Sequence, residues 1–295
     1  MTSASTKRGP HPGPTPPGEG AAKPSPAQGA GLGGGFAVGA PPPVTGPLLS
    51  AQNLRLTFGN ITALDDVAVQ VWPGEVLAIV GESGSGKTTL LNVLAGRTRP
   101  AAGTIGYRGQ DLLALSPAAL RALHRGPWGF VQQNPRDSLR MGVSAGGNVG
   151  ERLMAHGARH YGAIREQARH WLTQVEIDPA RLDDLPRTFS GGMLQRLQIA
   201  CTLVTRPELV FMDEPTGGLD VSVQARLLDL IRTLVRDLGL AVLLVTHDLA
   251  VARLLAGRIM VMQHGRVVET GLTDQVLDDP QHPYTQLLVS SVLAT

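Results

Sequence analysis

Hydrophobic and polar positions divide the 295-residue chain into a head with almost nothing to bury and a long patterned body. Residues 1–47 are rich in Pro, Gly, Ala and Ser, as in Pro10-His11-Pro12-Gly13-Pro14, and read as a disordered tail. The pattern changes at Leu48. Residues 54–58 and 67–71 alternate with the two-residue period of strands, a turn follows at Pro73-Gly74, and the apolar run 76–80 is a third strand. Residues 88–95 have helical apolar spacing. Short strands are predicted over 103–107 and 128–132, on either side of a helix opened by Ser116-Pro117. From Arg136 to Arg187 the period is helical, clearest over 167–175, with a Gly-rich link at 142–147 interrupting it. This predicts an inserted helical subdomain over about 136–187. Strands return at 208–213, 240–246 and 258–262, separated by amphipathic helices such as 221–238. Strands alternating with helices predict an α/β protein with a largely parallel sheet covered on both faces.

Charge narrows the partners. Against 26 basic residues stand 24 acidic ones, a net +2 with no basic block, so nothing calls for nucleic acid. Arg159, Arg165 and Arg169, with His156, His160 and His170, read as a solvated helix face. The single cysteine, Cys201, lies in the apolar run 197–204; it permits no internal disulfide and no thiolate cluster, and points to a reducing compartment. No stretch approaches the ~18 apolar residues of a membrane span, and the N-terminus lacks the apolar core of a signal peptide. The expectation is a cytoplasmic chain with no direct membrane insertion.

The candidate chemistry starts where the strand at 76–80 ends. Gly81-Glu82-Ser83-Gly84-Ser85-Gly86-Lys87-Thr88 has the pattern of a phosphate-binding P-loop, set between strand and helix as that loop requires. Its glycines let backbone N–H groups wrap a polyphosphate at a helix N-terminus, Lys87 reaches the outer phosphates, and the Thr88 hydroxyl is placed for magnesium. Thr89 follows as a further phosphate contact. Only three lysines occur, Lys7, Lys23 and Lys87, so the body of the chain keeps one lysine among arginines, where a compact ammonium fits a phosphate cradle better than a guanidinium. The second apolar strand to end in chemistry is 208–213, which closes on Asp213-Glu214. Ligands of open parallel sheets gather at the carboxyl ends of strands, so Asp213 belongs beside Thr88 and magnesium, and Glu214 is placed to take a proton from an attacking water.

Phe189-Ser190-Gly191-Gly192-Met193-Leu194-Gln195-Arg196 resembles the signature sequence of ABC ATPases, and the other motifs fall in that family's order across residues 48–295. The resemblance implies a P-loop fold of ABC ATPase type, with a mixed sheet core, an inserted helical subdomain and an antiparallel β edge. It also implies ATP and Mg2+ bound between two chains in a head-to-tail dimer. Ser190, Gly191 and Gly192 would grip the ATP held by the opposite chain. Gln133 resembles the glutamine that contacts magnesium and water, Asp220 the end of the loop crossing the dimer interface, and His247 the histidine at the γ-phosphate. Phe58 resembles the aromatic that stacks on adenine, beside the alternative of a core Phe ending a strand. Met193 departs from the family's usual Gln, and Gly217-Gly218 from its usual Ser-Ala. The first keeps the backbone donors; the second loosens the interface loop.

A finer resemblance is to the ATP-binding subunits of carbon–phosphorus lyase systems. It rests on residues 143–154, 157–162, 211–230 and 272–293. It implies an ATPase that docks on a soluble lyase core in phosphonate breakdown. The tail Gln281-His282-Pro283-Tyr284-Thr285 also resembles ATPases of peptide- or nickel-type importers, which share the ATP chemistry and differ in partner. A nucleotide-gated scaffold without turnover is disfavoured by Glu214 and His247.

Overall fold

The computed structural model describes residues 1–2 and 46–293; almost all of the predicted tail therefore lies outside the described residues. The body opens with strands β1 (Leu49–Phe58), β2 (Ile61–Val71) and β3 (Val76–Val80), then helix α1 (Lys87–Leu94) and strands β4 (Ala102–Tyr107) and β5 (Gln110–Asp111). Helix α2 (Pro117–Arg125), strand β6 (Trp128–Val131) and helices α3 (Ala145–Ala155), α4 (Tyr161–Gln174) and α5 (Gly191–Leu203) follow. The last third runs β7 (Leu209–Asp213), α6 (Val221–Leu238), β8 (Ala241–Val245), α7 (Leu249–Leu255), β9 (Arg258–Gln263), β10 (Arg266–Leu272), α8 (Thr273–Asp278) and α9 (Pro283–Leu293).

Two sheets organise these elements. The six-stranded sheet has the order β10-β9-β3-β8-β7-β6, parallel throughout except for the antiparallel edge strand β10. An antiparallel sheet of order β2-β1-β4-β5 is the second. Strand period sorts the core onto two faces: Leu77, Ile79, Leu209, Phe211, Leu243 and Val245 pack with α1 and the antiparallel sheet. Their neighbours Ala78, Val80, Val210, Met212, Val242 and Leu244 pack with α5, α6 and α7. The parallel strands are therefore apolar on both faces, as their unbroken apolar runs require. Cys201 sits in the second of these cores, where burial pushes its thiol up to about 12 and leaves it inert.

Caps fix the helix limits. Ser116 accepts from Ala119 N at the start of α2, and Asp220 accepts from Val223 N at the start of α6, which stops at Gly239 with φ 61°. The Gly-rich stretch 142–147 is not a link throughout, because α3 begins at Ala145 and carries Gly146 and Gly147 inside it, capped by Ser144. A Cβ on Gly146 would lie 2.6 Å from Leu182, and one on Gly150 would lie 2.8 Å from Ile164 of α4. These glycines serve close packing between helical elements.

Candidate functional site

The site lies at the carboxyl ends of β3, β7 and β8. Gly81, Gly84 and Gly86 have φ of 146°, 81° and 104°, so the loop bends where only glycine is comfortable. Space closes the same positions: a Cβ on Gly81 would lie 2.2 Å from Met262 O, and one on Gly86 2.5 Å from Ala63 O. Gly86 precedes α1 with no side-chain cap, which leaves the backbone donors of the first turn to a ligand. Gly86→Ala is expected to abolish nucleotide binding and to lower Tm, checked by equilibrium titration and thermal melting.

Lys87 is 6% exposed and donates from Nζ to Gly81 O at 2.8 Å and Glu82 O at 2.7 Å. Burial moves its ammonium below the ordinary lysine value, while Glu214, Asp213 and Glu82 act in the opposite sense. Thr88 Oγ1 donates to Asp213 Oδ1 at 3.3 Å, across 125 residues of sequence. Burial raises the Asp213 carboxyl above its ordinary value, opposed by the Thr88 hydrogen bond and by the charges of Lys87 and Arg97. Hydroxyl and carboxylate oxygens are the donors a hard divalent cation takes. Ser83 and Glu82 lie exposed on the loop, as does Thr88 at the start of α1, while Thr89 after it is half-buried.

Glu214 is held at both oxygens. Its Oε1 pairs with His247 Nδ1 at 2.9 Å, and its Oε2 accepts from Gln133 Nε2 at 3.1 Å. Its backbone φ of 44° is in the left-handed region, which costs a non-glycine residue about 1–3 kcal/mol. Hydrogen bonds from Glu214 N to Val245 O and from Gly217 N to Glu214 O hold the turn there. Two residues from distant parts of the sequence, Gln133 and His247, thus converge on the Glu214 carboxylate. The adjoining cleft, about 290 Å³, is lined by Asn92, Arg97, Phe130, Gln133, Asp137 and Asp213 among others. Arg97 was not among the sequence candidates; its guanidinium lies 4.1 Å from the Phe130 ring centroid.

Other candidates stand apart from this cluster. Ser190 caps α5, accepting from Met193 N at 3.3 Å, and Gly191 opens the first turn; both are exposed. Gly192 is buried against Val223, where a Cβ would lie 2.5 Å away. Met193 keeps a role of its own, its sulfur accepting from Arg181, whose guanidinium also lies over Phe189. Asp220 spends Oδ1 on Val223 N and Ser222 Oγ, which lower its carboxyl below the ordinary range. Phe58 is 53% exposed at the end of β1, opposite Ile61, so it is not a core residue.

A P-loop at the end of a parallel sheet, with a carboxylate-bearing strand end beside it, defines a P-loop protein of the kind that hydrolyses nucleoside triphosphates. The sequence pattern of the ABC transporter family matches residues 64–217, and the chain belongs to that family. A protein named for phosphonate utilization and ATP binding, PhnK of Escherichia coli (strain K12), is 66% identical over 247 residues, which is 84% of this chain and 98% of that protein. The dipeptide transport ATP-binding protein DppF of the same organism is 40% identical over 231 residues, covering 78% of this chain and 69% of DppF. Among solved structures, CbiO1 of Clostridium perfringens, part of the CbiONQ transporter complex, superposes with a TM-score of 0.72 at 26% identity over 79% of this chain and 92% of its own. The dimeric cassette MJ0796 bound to ADP and Pi superposes with a TM-score of 0.69 at 29% identity, over 76% of this chain and 98% of its own. No helix among the described residues is long and apolar enough to cross a membrane.

Proposed function

We propose that the chain is the ATP-hydrolysing subunit of a phosphonate-breakdown system, acting as a head-to-tail dimer docked on a soluble carbon–phosphorus lyase core. The observation that carries this reading is the 66% identity to PhnK across 98% of that protein, against 40% to DppF across 69%. In this reading Lys87 and the loop amides bind the ATP phosphates, and Phe58 lies against adenine. Thr88, Asp213 and Gln133 would hold Mg2+, whose bound charge neutralises the phosphate oxygens. Glu214, oriented by His247 and Gln133, takes the proton of the attacking water. Ser190, Gly191, Gly192 and Asp220 act on the nucleotide of the opposite chain, so that closure of the dimer completes both sites. Closing and reopening would move the core during turnover.

The docking surface we propose runs over residues 136–161 and adjoins Gln133, which links it to the state of Glu214. Arg136, Met154 and Tyr161 are exposed there. Arg140 is ion-paired with Glu151 at 3.2 Å, so Arg136→Glu is the cleaner probe. Arg136→Glu is expected to cut co-purification with lyase subunits severalfold and to leave basal ATP hydrolysis within about twofold. Removal of residues 1–46 is expected to change neither. Deleting the gene tests the biological role: growth on a phosphonate as sole phosphorus source should fail, and growth on phosphate should persist. Normal growth on the phosphonate, with a defect in peptide uptake, would favour the importer reading that the DppF likeness supports.

A further inference from the structure

The peptide that joins Gly81 to Glu82 is gripped at both ends. Its carbonyl, Gly81 O, accepts from Lys87 Nζ at 2.8 Å, while its N–H, on Glu82, donates to the Tyr284 hydroxyl at 3.0 Å. Planarity makes these two groups one rigid unit pointing in opposite directions, so neither can turn without the other. Neighbouring bonds on one amide also polarise each other, which strengthens both. The loop has little slack there, since Gly81 is wedged against Met262 O.

Tyr284 is itself firmly seated. It is 7% exposed at the start of α9, within the apolar core. The turn before it is tied to β10: Gln281 N and His282 N donate to Glu269 Oε1 and Oε2 at 2.9 and 3.1 Å, and Tyr284 N donates to His282 Nδ1 at 3.2 Å. A chain of contacts therefore runs from Glu269 through the turn and the Tyr284 hydroxyl to the amide that holds Lys87.

We infer that Tyr284 is a positioning residue for the ATPase reaction: through the Gly81–Glu82 peptide it fixes the Lys87 ammonium for phosphate, and the C-terminal turn tunes nucleotide affinity. Tyr284 touches no reacting atom. Its loss should act on binding, leaving the proton transfer at Glu214 intact.

The test is Tyr284→Phe in the full chain, which removes one oxygen and keeps the ring. Titration with MgADP should show affinity weakened about fivefold, the effect of one net hydrogen bond. The KM for ATP should rise by a similar factor, with kcat at saturating ATP within about twofold. Glu269→Gln should move affinity in the same direction, because the amide nitrogen that replaces one carboxylate oxygen cannot accept the turn N–H held there. Leu288→Ala, which loosens the packing of α9 on the core without touching the hydroxyl, should lower Tm and leave MgADP affinity unchanged. The inference is overturned if Tyr284→Phe binds MgADP as tightly as the parent, or if Leu288→Ala weakens binding as much as Tyr284→Phe does.

Discussion

Glu214→Gln should keep ATP bound, lose about 10²–10⁴-fold in turnover and accumulate a closed ATP-loaded dimer. The substitution removes a proton acceptor while nearly preserving shape. One amide oxygen still accepts from Gln133, and the amide N–H can donate to His247 in its other tautomer, so the pocket can rearrange without collapse. Lys87, Thr88 and Asp213 are untouched, so nucleotide affinity should hold. Phosphate release measures the loss, and gel filtration with and without ATP measures the dimer. Near-normal hydrolysis would remove Glu214 from the role of base.

Lys87→Ala should weaken nucleotide binding about 10–100-fold, the scale of losing hydrogen bonds from a charged donor in a buried cradle. It also leaves Gly81 O and Glu82 O without their partner. Ser190→Arg should leave that binding intact and block closure, because Ser190 opens α5 on an exposed face that, in the proposed dimer, meets the opposite nucleotide. Mixing the two variants makes heterodimers with one doubly damaged site and one intact site. ATP-dependent association absent from either variant alone should return in the mixture. No recovery would count against the head-to-tail arrangement.

Much of the fold was legible because local signals agreed. Helix α6 matches its predicted limits, 221–238, since Asp220 caps one end and Gly239 ends the other. The parallel strands were legible as apolar runs, being buried on both faces. Strand β10 was not, because Arg266-Val267-Val268-Glu269-Thr270-Gly271-Leu272 is a half-exposed edge with no continuous apolar run. The start of α3 at Ala145 is hidden for a different reason: Gly146 and Gly147 carry the composition of a link, and only the approach of Leu182 and Val143 shows why glycine is needed within the helix.

The candidate site divides in the same way. Lys87, Thr88, Asp213 and Glu214 stand in contiguous motifs beside strand ends, where short-range pattern has a mechanism. Gln133 and His247 were placed only by family resemblance, and the structure brings both onto Glu214. The Tyr284 bond to Glu82 spans 202 residues, and no local pattern announces it. Phe58 was open between core and surface because a strand-end aromatic suits either; its exposure decides against the core.

The central claim, an ABC ATPase serving a soluble enzyme complex, is tested most directly by purifying the tagged chain without detergent from cells grown on a phosphonate. The expected result is recovery from the soluble fraction together with carbon–phosphorus lyase subunits, in amounts that fall with Arg136→Glu. Recovery only from the membrane fraction, bound to a permease, would contradict it.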